Sequence, residues 1–191
     1  SLLEACWRDL VLGVVQGLTE FLPISSTAHL KVVPELLGWG DPGVSVTAAI
    51  QLGSIVAVIA YFRSDLSQVL RGISRAFRNG QWREPEARLG FAMVVGTLPI
   101  LLIGLGIKFA WAQGYEQSPL RSVPSIAIVS IVMALLLALA ERVGARRKQL
   151  PGVSGRDGLL VGLAQALALI PGVSRSGSTL TAALFDGWQR A

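Results

Sequence analysis

Apolar residues come in long, charge-free runs along this chain, and short polar stretches interrupt them. Three runs, Val44 to Phe62, Leu89 to Ile107 and Ser122 to Ala140, carry no Asp, Glu, Lys or Arg. Each approaches the roughly 20 apolar residues that a spanning helix needs. A fourth, Gly158 to Ser174, is shorter and holds Pro171-Gly172 near its end, and a still shorter apolar run lies between Asp9 and Glu20. Those two lengths suit re-entrant half-helices or helices capped at the interface better than full crossings. The expected fold class is therefore all-α, a polytopic membrane helical bundle.

Composition agrees with the pattern: 52% of residues are hydrophobic, only 15% are charged, and the mean hydropathy is +0.57. A soluble domain of this length has more charge and fewer apolar residues. The first segment is not expected to be a signal peptide, because Glu4 and Asp9 replace a basic leader and no small-residue cleavage site follows. Cys6, the single cysteine, offers neither an internal disulfide nor metal-ligand spacing.

Charge predicts orientation. Of the 17 Lys and Arg residues, six lie between Arg63 and Arg88 and five between Arg142 and Arg156. Both loops are thus expected on the cytoplasmic side. Membrane topology accounts for the net charge of +5, together with contact to anionic lipids, so no nucleic-acid partner is called for. The run Asp65 to Trp82 places Arg71, Arg75 and Arg78 at spacings of three and four, which reads as a helix lying on that surface. Trp39, Trp111 and Trp188 read as interface anchors.

The two polar interruptions carry the chemistry. QGLTEFLPISSTAHL, Gln16 to Leu30, holds Glu20 and the only histidine, His29; PGVSRSGSTLT, Pro171 to Thr181, holds Arg175. An ionisable group in bilayer-compatible sequence costs roughly 2.5 to 3.5 kcal/mol on insertion scales, which marks it as a functional candidate. An offset of 149 residues, Gly13 to Gly162, also aligns Gln16 with Gln165, Leu18 with Leu167 and Ser25 with Ser174. With three crossings between them, the copies enter from opposite faces, which predicts an inverted-topology repeat and two re-entrant broken helices. Residues 1–141 form the first repeat and residues 142–191 the start of a second. Only Leu180 to Ala191 follow the second motif, so the second repeat is expected to be truncated, and assembly into a homo-oligomer is one way to complete it.

Pro23 and Pro171-Gly172 are each expected to end one helical piece, leaving Ser25, Ser26 and Thr27, or Ser174 and Ser176, to open the next. Two helix N-termini, several hydroxyls and one guanidinium make a phosphate cradle. Ser26 and His29, three apart, share a helical face, a spacing that suits a hydroxyl nucleophile and its base. Glu20 is placed to bind a divalent cation, accept a proton or orient His29, and Gln16 lies one turn before it.

These residues resemble the bacterial undecaprenyl-diphosphate phosphatases linked to bacitracin resistance. That family is marked by Glu/Gln-x-x-x-Glu and then P-x-S-S-T-x-H, read here as Gln16 to Glu20 and Pro23 to His29. Its second signature, P-G-x-S-R-S-x-x-T, is read as Pro171 to Thr179, and AIQLGSIVAV around Gln51 is also similar. The resemblance implies a hydrolase of the bacterial inner membrane that converts undecaprenyl diphosphate to the monophosphate for peptidoglycan synthesis. It implies a divalent cation, Mg2+ or Ca2+, with Glu20 and Gln16 as its protein ligands. It also implies Arg175 as a diphosphate clamp, Ser26 as nucleophile with His29 as partner, or His29 as nucleophile itself. Ser25, Thr27, Gly172, Ser174, Ser176 and Thr179 would bind phosphate oxygens. Gln16, neutral where many relatives carry glutamate, weakens a two-carboxylate metal site. The rival reading is a lipid-carrier flippase or secondary transporter on the same repeat; a phosphatase with broader lipid specificity is a third.

Overall fold

The computed structural model describes residues 2–116 and 118–190. Among the described residues nine α-helices follow in order: α1 Leu2–Glu20, α2 Ser26–Leu36, α3 Gly43–Tyr61, α4 Arg63–Asn79, α5 Pro85–Ala110, α6 Ala112–Glu116, α7 Val123–Val143, α8 Gly155–Ala166 and α9 Arg175–Phe185. Among the described residues there is no strand, and one isolated bridge joins Lys148 to Trp188.

Helices α5 and α7 are each long and apolar enough to cross a membrane. The window at Val44 to Phe62 becomes α3, which qualifies only together with α4, from which it is bent by 72°. The bend falls at Phe62, next to Arg63, where apolar sequence gives way to polar. The amphipathic run expected to lie on the surface becomes α4, and it is also packed: Val69, Gly72 and Ala76 are buried, and Gly72 and Gly90 bring α4 against α5. Arg71 and Arg78 stay exposed on its far side, and Gly80, at φ +71°, ends the helix in the left-handed conformation.

Small residues set the packing of α5 on α8. A Cβ on Gly158 would lie 2.3 Å from the Ala92 carbonyl oxygen, and one on Gly162 would lie 2.2 Å from that of Gly96. Only glycine permits that backbone approach, the small-xxx-small logic of membrane helices. Much of α3, α5 and α7 instead exposes large apolar side chains, such as Leu52, Leu102 and Leu135. In a helix suited to lipid contact such exposure is no defect.

The expected breaks form. Helix α1 runs to Glu20, a turn carries Phe21 to Ile24, and Ser25 caps α2 by accepting from the Ala28 N–H at 3.3 Å. Further along, α8 and a 3-10 turn at Leu167–Leu169 precede Pro171-Gly172, and Ser174 caps α9 by accepting from the Gly177 N–H at 3.1 Å. At the 149-residue offset the caps coincide, and so do both ends of α2 and α9, each of 11 residues.

A clasp closes the loop after α7 onto the end of α9. Lys148 Nζ donates to Asp157 Oδ1 and to Asp186 Oδ2, both at 2.7 Å. Its backbone pairs with Gly187 and Gln189. Ser154 and Asp157 form a capping box at the start of α8. Burial pushes the Asp157 carboxyl up, but hydrogen bonds from Lys148 and Ser154 outweigh it and hold the group well below the ordinary carboxylate range. Hydrogen bonds to Asp157 and then Asp186 raise Lys148 above 10.5.

Candidate active site

The two breaks meet. Ser176 Oγ donates to the Leu22 carbonyl at 2.9 Å, across 154 residues of sequence. A Cβ on Gly177 would lie 3.2 Å from the Pro23 carbonyl oxygen. Gly172, at φ +95°, comes so close to α7 that a Cβ would lie 2.6 Å from the Ile126 carbonyl oxygen, and Ser130 Oγ donates to the Gly172 carbonyl at 3.0 Å. These contacts dock the start of α9 between the α1–α2 turn and α7.

At the meeting point Ser26 Oγ donates to Glu20 Oε2 at 2.6 Å. Gln16 Nε2 donates to the same oxygen at 3.0 Å, as expected of residues one turn apart, and makes a weaker 3.5 Å contact with Ser54 Oγ. Gln16 is 1% exposed. Its Oε1 is, among the described residues, the one buried side-chain oxygen or nitrogen without a hydrogen-bond partner. An orphan acceptor of that kind calls for a donor or a cation from outside the chain.

His29 sits elsewhere. Its Nδ1 donates to the Ser25 carbonyl at 2.7 Å, so the proton on that nitrogen is fixed by a backbone acceptor. The expected Ser26–His29 pairing is replaced by Ser26–Glu20, because the turn at Phe21 to Ile24 folds the end of α1 back onto the start of α2. The two side chains also face different spaces. A small polar cavity of about 40 Å³ is lined by Glu20, Ser25, Ser26, Thr27, Gln51, Ser174, Arg175 and Ser176. His29 lines an apolar cavity of about 300 Å³ between α2 and α7.

Arg175 opens α9 and is exposed, with no ion pair among the described residues. Ser174 and Ser176 hydroxyls lie 3.1 Å apart. Thr179 donates to the carbonyls of Arg175 and Ser176 at 3.0 and 3.1 Å, which leaves its oxygen lone pairs for a ligand's donor. Thr179 lines a second cavity, of about 370 Å³, along with Glu20, Gln51, Ser54, Gln165 and Arg175. Ser54 and Gln165 were not singled out for the site from the sequence. Gln165 was signalled only as the repeat partner of Gln16.

A larger cavity, about 620 Å³ beside α5 and α8, contains none of Glu20, Ser26, His29 or Arg175. Size does not mark the chemistry here. The small polar cavity is the one where carboxylate, hydroxyls, guanidinium and two capped helix N-termini converge.

A family profile described as "Bacitracin resistance protein BacA" matches residues 9–191. The chain belongs to the BacA family. Its relatives include the undecaprenyl-diphosphatase of Synechococcus sp. (strain CC9605), 92% identical over 191 residues, all of this chain and 67% of that protein. The undecaprenyl-diphosphatase of Parasynechococcus marenigrum (strain WH8102) is 84% identical over the same span, with 67% of its length covered. That of Prochlorococcus marinus (strain MIT 9303) is 76% identical over 190 residues, with 64% covered. The chain thus spans about two thirds of the length of these curated BacA relatives.

Proposed function

We propose that this chain is an integral membrane phosphatase that hydrolyses undecaprenyl diphosphate to undecaprenyl phosphate and inorganic phosphate. This reaction regenerates the lipid carrier for peptidoglycan synthesis and confers bacitracin resistance. The observation that carries the reading is the 2.6 Å hydrogen bond from Ser26 to Glu20 inside a polar cavity that Arg175 also lines. A carrier that only moves lipid needs no such hydroxyl and base, so the transporter reading is not favoured.

The chemistry follows from that bond. Ser26 Oγ attacks the terminal phosphorus and passes its proton to Glu20. The bond to the bridging oxygen breaks, and undecaprenyl phosphate leaves with that proton. Water then gives a proton to Glu20 and attacks the phosphoserine; inorganic phosphate departs, and the proton returns to Ser26. Arg175 and the N–H groups at the starts of α2 and α9 stabilise the charge on the phosphoryl oxygens, which is most of what a phosphoryl-transfer site does. Ser25 and Thr27 donate to those oxygens, while Ser176 and Thr179, which donate to backbone carbonyls, and Ser174, which donates to Ser176, brace the start of α9 around them. His29 holds the Ser25 carbonyl and so keeps the first turn of α2 in register with Glu20.

The residues present fit a weakly held divalent cation, Mg2+ or Ca2+. Among the described residues no group of three His, Cys, Asp or Glu could hold one. The Glu20 carboxylate and the orphan Gln16 Oε1 are its protein ligands in this reading, with substrate phosphate and water completing the shell. When bound, it neutralises charge on the diphosphate.

The caps shared at the 149-residue offset support an inverted repeat, with α1–α2 and α8–α9 as re-entrant pairs, residues 1–141 as the first copy and 142–191 as the start of the second. The protein is then multi-pass in the bacterial inner membrane. The test is phosphate release from undecaprenyl diphosphate, with and without EDTA, by wild type and Ser26→Ala. Cation-dependent release that the variant loses is the expected result; folded wild type without release overturns the reading.

A further inference from the structure

We propose that one face of α3, running from Gln51 through Ile55 and Val58 to Ile59, carries the isoprenoid tail of the substrate away from the phosphate cradle. The inference rests on the phosphatase reading and adds to it the path of the lipid and the residues that select it.

The argument is one of covalent continuity. A tail joined to a diphosphate must occupy a space that shares a wall with the space holding the phosphates. Two cavities of similar size border the meeting point of the breaks. The one beside α3, about 370 Å³, shares Glu20, Gln51, Arg175 and Ser176 with the small polar cavity. The one between α2 and α7, about 300 Å³, shares Ile24, Ser25 and Ser174 with it, and contains none of Glu20, Ser26 or Arg175. Of these two cavities, the one along α3 has Arg175 and Glu20 in its wall, so it is the apolar space that a diphosphate clamped by Arg175 meets first.

The wall of the α3 cavity is graded in the sense such a substrate requires. Positions 51, 54, 55, 58 and 59 recur at three and four and so form one helical face. Gln51 and Ser54 stand at the end shared with Glu20, followed by Ile55, Val58 and Ile59, with Phe21 from the turn after α1 also lining the space. Ile55 and Ile59 are each 53% exposed, so the groove is open at its side. A branched apolar chain enters it laterally, from the bilayer, without crossing the polar cavity.

The test uses farnesyl diphosphate with a diazirine on its tail, photolysed on the purified protein in detergent, with the labelled residues mapped by mass spectrometry and phosphate release measured in parallel. Label is expected on α3 at Ile55, Val58 or Ile59. Ile55→Asn and Ile59→Asn should each reduce it about tenfold, the effect of losing 1.4 kcal/mol of binding. Leu52→Asn, on the same helix but outside the cavity wall, should leave it unchanged and controls for folding. Label on Val32, Ile126 or Met133, label that all three variants reduce alike, or no label on α3 overturns the inference. Phosphate release with label on the α2–α7 wall sinks the tail path alone. Label on α3 without release of phosphate from any diphosphate sinks the phosphatase reading and leaves the tail path standing.

Discussion

Ser26 and Glu20, six residues apart, meet across the break between α1 and α2, with the serine hydroxyl 2.6 Å from the carboxylate. A helix could not bring together positions six apart, which fall on different faces. The turn at Phe21 to Ile24 makes the pair. Glu20→Gln keeps the size and the hydrogen bond but removes the base, and should cut kcat by about 10²- to 10⁴-fold. His29→Gln, which removes one hydrogen bond to a backbone carbonyl, should cost no more than about tenfold. Steady-state phosphate release separates them. A larger loss at His29 than at Glu20 would reverse the assignment of base.

Arg175 differs from a lysine in offering a planar fork of donors. Arg175→Lys should retain the charge yet lose about 10²-fold in kcat/KM, and Arg175→Ala more. Equal activity of Arg and Lys at this position would mean that charge alone is needed there.

Gln16 supplies an amide where a second carboxylate would bind a cation more strongly. Gln16→Glu should lower the Mg2+ or Ca2+ concentration at which activity is half-maximal and raise the EDTA needed to abolish it. An unchanged cation requirement would remove Gln16 from the set of ligands.

Gly162 and Gly13 stand 149 residues apart, at the offset that aligns the two motifs, but have different surroundings. A Cβ on Gly162 meets backbone at 2.2 Å, whereas one on Gly13 meets nothing within 4 Å. Gly162→Ala should destabilise by roughly 1 to 3 kcal/mol through overpacking, and Gly13→Ala should leave the melting temperature in detergent unchanged or raised. Thermal unfolding of the two variants side by side checks the contrast.

The Lys148 clasp predicts a stability profile with two edges. Asp157 has its folded pKa depressed, so its contribution is present above the unfolded value of roughly 3.9 and is lost as pH falls through the folded one. Lys148 has its folded pKa raised; its contribution is complete below the unfolded value and is lost as pH rises through the folded one. Lys148→Met should lower stability at neutral pH and flatten both edges. Unfolding curves across pH that run parallel for variant and wild type would mean that the clasp contributes nothing.

The sequence made some of this legible for definite reasons. Prolines and serines stand at the helix breaks because of local backbone sterics and capping, so Pro23, Ser25, Pro171 and Ser174 announced them. The Gln16–Glu20 contact follows from one helical turn. The acidic partner of Ser26 was not legible, since helical spacing favoured His29 and the course of a four-residue turn decided otherwise. Lys148 finds Asp186 across 38 residues, and Gly162 finds Gly96 across an interface between two helices. Local pattern carries no information about such pairings. Membrane character was plain from composition, but α4 was read only as a surface helix because its arginines concealed the small residues that pack on α5.

Counting from each capping serine, Ser26 and Arg175 occupy the same register: each is the first residue of its 11-residue helix. In the proposed reaction one must be a hydroxyl that attacks and the other a cation that holds the target. A perfectly symmetric pair of halves would present two nucleophiles with nothing to hold the phosphate, or two clamps with nothing to attack it. The work therefore lies in the difference between two matching helix starts, and grafting either one's first residue onto the other would preserve the scaffold while erasing the division of labour.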